Sequence, residues 1–281
     1  MTIHLVCYAT QRFRLRQLLL GFSARLNGVV DTVSTWSPSC LRVAGFEDRC
    51  KTINLSERGS GFWAWKPFII DAKLREIADG DLVLYCDVGR LYPFKLLDQP
   101  LHPYLDWMDE QGQDVMPGVE IPWDGPNLAW IKRGVLVATG MDRPEVLAAA
   151  PIQASFSLWR AGPQSRDFAA SWLDACSRRE WVSDDPSRGG IAEHPGFRAH
   201  RHDQALLSLG CLAAGIRGLS IGEAKPSIDT RHPSQVSRFH FGALPSCPSQ
   251  GGRLLCAAVR PIEWIEQITR SKVRFGRPIV E

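Results

Sequence analysis

Asp87 is placed where a carboxylate can do chemistry. It follows the apolar run Leu82–Cys86 in GDLVLYCDVG and stands two residues before Gly89. In an open α/β sheet, ligands bind beyond the carboxyl ends of the strands. A lone carboxylate there, with a glycine letting a ligand approach the backbone, suits a metal-bound phosphate. It equally suits a turn cap after a buried strand. Lys66 directly precedes Pro67, a residue favoured in the first turn of a helix, so ammonium and helix N-terminus together suit a phosphate. The plain alternative is a solvated lysine. Asp203-Gln204 opens the apolar pattern of HRHDQALLSL, where an aspartate also serves as a helix cap. His200 and His202 have H-x-H spacing but no further ligands nearby, which fits loop packing better than zinc. Glu120 and Asp124, in PGVEIPWDGP, are by region the carboxylates suited to take a proton from a hydroxyl, or are simply solvated.

The elements that must position these groups are legible from periodicity. Ile3 to Tyr8 reads as a strand ending in Ala9 and Thr10. A helix follows, with Leu15, Leu18, Leu19, Phe22 and Leu26 at helical spacing and Asn27-Gly28 as its end. Val29 to Val33 reads as a second strand, and this β-α-β opening predicts a parallel sheet with right-handed crossovers. The helix opened by Pro67 buries Ile70, Leu74 and Ile77, ends at Gly80 and leads through Asp81 into Leu82–Cys86. Residues 89 to 130 read as surface structure around a site. Ala154 to Arg160 alternates as a strand, and the next helix carries Phe168, Trp172, Leu173 and Cys176 on one face. Residues 183 to 199 form a loop. The final helix turns Leu206, Leu209 and Ala213 inward and stops at Gly215. Leu254 to Val259 is a late strand.

With 281 residues, 44% of them apolar and 22% charged, the chain can bury a substantial core. A net charge of +3, with scattered basic residues, gives no ground for nucleic acid. Eight cysteines form no C-x-x-C, and Cys7 and Cys86 fall inside apolar runs, as reduced buried thiols do. No signal-peptide core opens the chain, and no apolar run approaches the ~20 residues of a membrane span. The expected location is therefore cytoplasmic. Phosphate-loop, nucleophile-elbow and dinucleotide-binding glycine motifs do not occur.

Taken in order, RGSGFWAWKP, GDLVLYCDVG, QASFSLWR and HRHDQALLSL resemble a family of small bacterial glycosyltransferase-like proteins of polysaccharide-synthesis loci, assigned to the GT-A nucleotide-sugar fold. The likeness covers most of residues 1 to 215. It implies a mixed, mainly parallel α/β sheet flanked by helices, with residues 1–220 as the GT-A-like nucleotide-sugar-binding and catalytic domain and 221–281 as an extension completing it. Enzymes of that fold end a central strand in Asp-x-Asp, whose metal neutralises the donor diphosphate. Here the place reads Asp87-Val88-Gly89, with glycine for the second carboxylate.

The resemblance implies a divalent metal, manganese or magnesium, on Asp87, with His240 as the C-terminal ligand and His232 as its substitute. Tyr8, Ala9, Thr10, Arg58, Lys66 and Gln153 are its implied contacts to a nucleoside diphosphate sugar, with Lys66 on the diphosphate. By analogy with the related glycogenin-like and bacterial galactosyltransferase enzymes, Asp203 accepts hydrogen bonds from sugar hydroxyls and Gln204 lies near the anomeric carbon. Trp63 or Trp65 is placed to stack on a sugar or base, or both pack in the core. Glu120 is the acceptor base. The expected reaction moves a hexose from a nucleoside diphosphate donor, with UDP as the expected carrier, to a saccharide or glycolipid acceptor in capsule or lipopolysaccharide assembly, with at most peripheral membrane contact. A protein-modifying effector, an inactive sugar-nucleotide-binding protein and, third, a nucleotidyltransferase are the alternatives.

Overall fold

A computed structural model of the chain describes residues 1–88, 101–220 and 223. The expected late strand at Leu254–Val259, His232 and His240 lie outside the described residues.

The chain opens with strand β1 (Ile3–Tyr8), helix α1 (Arg14–Leu26) and strand β2 (Thr32–Trp36). Helix α2 (Trp65–Glu76) leads to strand β3 (Leu82–Cys86). Helix α3 (His102–Gln111) precedes the short strands β4 (Val115–Met116) and β5 (Val119–Glu120). Strands β6 (Ile152–Gln153) and β7 (Phe156–Arg160) follow, then helix α4 (Pro163–Ser177) and helix α5 (His202–Ala214). The central sheet has the order β2-β1-β3-β7-β4. β1 pairs parallel to both β2 and β3, whereas β7 runs antiparallel to both β3 and β4. Four strands therefore point one way and β7 the other, which is the expected mixed, mainly parallel α/β sheet flanked by helices. β5 and β6 form a separate antiparallel pair.

Both faces of this sheet are buried, so β3 reads as a continuous apolar run. Its residues still alternate: Val83 and Tyr85 join the core containing Phe68, Ile69, Ile70 and Leu74 of α2, whereas Leu82, Leu84 and Cys86 join the core containing Tyr104, Trp107 and Met108 of α3. Trp159 of β7, fully buried, stacks on Phe168 and Trp172 of α4.

Four expectations need correction. The second strand begins at Thr32, because Val29 and Val30 fold into the turn after α1, donating to Ala24 O. α2 ends at Glu76, with Ile77 already extended, and Gly80 occupies a left-handed turn nearer β3. Ala213 is exposed, because Cys211 and not Ala213 faces inward in the last turn of α5. Residues 101–130 are not merely surface structure: α3, β4 and β5 bury Trp107, Met108, Val115, Met116 and Val119. Two-residue strands are too short to show a period.

The largest departure is the phase of α1. Its expected apolar stripe faces outward, with Leu15, Leu18, Phe22 and Leu26 exposed. The buried residues are instead Arg16, Gln17, Leu20, Gly21, Ser23 and Ala24. Gln17 decides this phase, because its Nε2 donates at 2.9 Å to both Cys7 O and Trp36 O, bridging the carboxyl ends of β1 and β2. Gly21 permits the close approach, since a Cβ there would stand 2.8 Å from Val33 Cγ1.

Candidate functional site

Because β1 and β3 are parallel, their carboxyl ends share one edge of the sheet. Asp87 leaves β3 at that edge, its backbone N–H donating to Ser155 O at 2.9 Å. Its carboxyl remains 29% exposed. Tyr85 lies two residues earlier on the same strand face, and its hydroxyl donates to Asp87 Oδ1. Burial, then the Asp87 charge, holds the Tyr85 phenol well above its ordinary pKa, so it stays a donor.

Lys66 sits in the first turn of α2 and is 3% exposed. Its Nζ donates to Ala154 O at 2.7 Å, and stands 2.8 Å from Asp203 Oδ2 and 3.7 Å from Asp87 Oδ1. Burial works against this ammonium, but the Asp203 and Asp87 carboxylates outweigh it and raise its pKa. The residue expected at a diphosphate is thus the shared counter-ion of two carboxylates.

Asp203 is the second residue of α5 and 4% exposed; Arg201, not Asp203, occupies the cap position. Its backbone O accepts from Trp172 Nε1 at 3.0 Å, tying the head of α5 to α4. Burial lifts its carboxyl from 3.8 to about 6, against the pull of Lys66. Gln204 follows with a buried amide Nε2 that has no hydrogen-bond partner among the described residues, a donor that can serve a ligand.

A strained aromatic loop closes over this cluster. Among the described residues, the non-glycine positions at positive φ are Ser60, Phe62, Trp63 and His202, at 55°, 54°, 59° and 50°. Such conformations cost energy and persist only where the surroundings over-determine them. Here the His202 ring lies 5.4 Å from Phe62 and 5.3 Å from Trp63, so two separated motifs lock each other. Gly59 is required, because a Cβ there would stand 2.5 Å from the Trp63 ring. Trp65 is buried, stacks on Tyr8 at 4.0 Å, and donates from Nε1 to Gly59 O at 2.9 Å.

The remaining expected residues are spread around this centre. Ala9 is buried and donates to Trp36 O at 3.0 Å, and Thr10 follows it as the cap of a short helical turn. Arg58 is exposed, paired with Asp184 at 3.0 Å and held over the Trp63 ring. Gln153 pairs with Val119 across β5 and β6, one residue from the Ala154 carbonyl that binds Lys66. Glu120 donates its N–H to Leu219 O, and its Cγ faces Gly218. Burial raises its pKa, against the pull of Arg217. Asp124 is engaged by Arg201 at 2.7 Å.

His200 and His202 pack edge to face at 5.7 Å, and burial lowers the pKa of both. His200 Nδ1 accepts from Lys132 N, and His202 Nδ1 contacts Val182 O.

One participant, Tyr85, stands outside the expected set, although it was readable, since residues i and i+2 of a strand share a face. Arg201, beside Asp203 in sequence, turns its guanidinium to Asp124 and over Trp130, at 3.7 Å.

Among the described residues no three His, Cys, Asp or Glu side chains form a group able to hold a metal. Asp87 offers one carboxylate, with Tyr85 on Oδ1 and an ammonium beside it. This donor set does not by itself fit a divalent cation.

No protein-family profile and no curated protein sequence matches the chain. Among solved structures, mouse xyloside xylosyltransferase 1 in its apo form is similar at 11% identity, with 78% of this chain and 85% of that one covered and a TM-score of 0.39. Galactosyltransferase LgtC, with donor and acceptor sugar analogues, is similar at 14% identity, with 91% and 95% covered and a TM-score of 0.37.

Proposed function

We propose that this protein is a GT-A-type glycosyltransferase that moves a hexose from a nucleoside diphosphate sugar to a saccharide or glycolipid acceptor. One observation carries the reading. Asp87, at the carboxyl end of a central strand, and Asp203-Gln204, at the head of a helix, meet over one buried lysine beside a half-exposed edge. Ligands of open α/β sheets bind at that edge.

In this reading Asp203 and the free amide of Gln204 orient the sugar hydroxyls, and Asp87 faces the leaving diphosphate side. Lys66 fixes both carboxylates and offsets their charge, so that a leaving group gaining negative charge meets a site that is not strongly anionic. Tyr85 holds Asp87 in its rotamer. Arg58, on the rim, is the cation free to swing from Asp184 to a phosphate. UDP as the carrier, and capsule or lipopolysaccharide as the product, belong to the same proposal through the four-motif resemblance.

The test is a panel of UDP- and GDP-sugars, assayed for donor hydrolysis and transfer to saccharide acceptors, with and without manganese or magnesium. Turnover that is lost in both Asp87→Asn and Asp203→Asn supports the reading. Tight UDP binding with no turnover of any sugar nucleotide selects the second reading, an inactive sugar-nucleotide-binding protein, which the single carboxylate of Asp87-Val88-Gly89 favours.

A further inference from the structure

The outward face of α1 combines two properties that ordinary surface helices keep apart. Leu15, Leu18, Phe22 and Leu26 are 59%, 50%, 56% and 39% exposed, and their spacing stacks them along one stripe. The same region is exclusively basic. No Asp or Glu precedes Asp31, whereas Arg12, Arg14, Arg16 and Arg25 all do. Arg12, Arg14 and Arg25 are exposed around the stripe. Beside it runs an open groove of about 540 Å³ against the edge strand β2, lined by Leu18, Phe22, Arg25, Leu26 and Val33.

We propose that α1 is a docking surface for an anionic phospholipid bilayer. An interfacial helix of this kind sinks its leucines and phenylalanine into the acyl boundary and keeps its arginines among the headgroups. Charge selects this occupant over two others. A second copy would bring the same arginines face to face. The segment 224–281 carries nine Lys and Arg against four Asp and Glu, the same sign as α1. An anionic leaflet has the opposite sign and supplies an apolar layer beneath it. α1 springs from the carboxyl end of β1, so the stripe starts, at Leu15, by the sheet edge that bears Asp87 and runs back along the flank of the sheet.

The test uses the full chain sedimented with vesicles of phosphatidylcholine alone or mixed with phosphatidylglycerol, at low and high salt. Binding is expected to the mixed vesicles only and to weaken with salt. Arg12→Gln with Arg25→Gln is expected to weaken partitioning about fivefold per arginine. Leu18→Glu with Phe22→Glu abolishes it at unchanged melting temperature, and Phe22→Leu retains it. If the glutamate variant does not fold, the glutamine variant and the salt series decide. Absence of binding, binding that the glutamine variant leaves unchanged, or a wild-type dimer split by the glutamate variant would each overturn the proposal.

Discussion

Lys66 is the residue on which the site's electrostatics turn. Removing it leaves two neighbouring carboxylates without their cation, and breaking a buried pair from one side costs about 3–5 kcal/mol. Lys66→Ala is therefore expected to lose about that much stability in denaturant titration. Lys66→Met with Asp203→Asn is expected to recover most of it, because the deeply buried carboxylate is neutralised with its cation and the one that remains, Asp87, is 29% exposed. Asp203 sets the acid behaviour. Its folded pKa of about 6 stands above the ordinary 3.8, so the folded state binds this proton more tightly. Stability from this group therefore falls as pH rises from about 4 to about 6 and is level above that. Lys66, whose pKa is raised, keeps its contribution throughout that window and loses it only above its ordinary 10.5. If the carboxylate form binds the sugar, kcat/KM for donor turnover should decline below pH ~6. An acid limb displaced to the ordinary aspartate range would contradict this role.

Among the elements, the β5–β6 pair holds the site from below through its backbone. Gly118 has φ +146°, and a Cβ there would stand 2.2 Å from Gln153 O. Gly118→Ala must displace β6 and with it the Ala154 carbonyl that binds Lys66. It should cost about 1–3 kcal/mol and raise the donor KM, as thermal melts and steady-state kinetics would show. The sequence made the large elements legible wherever apolar side chains run together or recur over many residues, as in β1, β3 and α4. It placed Asp87 at its strand end and Asp203 at the head of its helix for the same reason. It did not give the phase of α1, because a buried glutamine bridging two strand ends outweighed the leucine stripe. Nor could it show that Lys66 joins Asp87 and Asp203, since those contacts span 21 and 137 residues of chain by their numbers.

For the whole molecule, two cores grip opposite faces of one sheet, and the site rests on their shared edge. Trp159→Ala opens the stack on Phe168 and Trp172 and should cost about 3–5 kcal/mol, measured by chemical unfolding. A nucleoside diphosphate that binds the native state must raise its apparent stability, by about 2.7 kcal/mol at a hundredfold excess over Kd. A melt series with UDP and GDP would reveal the base preference.

The four left-handed residues of the aromatic loop and the helix head carry a kinetic consequence. Phe62 and Trp63 both pack on the His202 ring, so the two segments should open to solvent as one unit. Amide exchange with deuterated water across 59–63 and 202–204 should then share a single opening rate, and a bound nucleotide should slow it in both segments together.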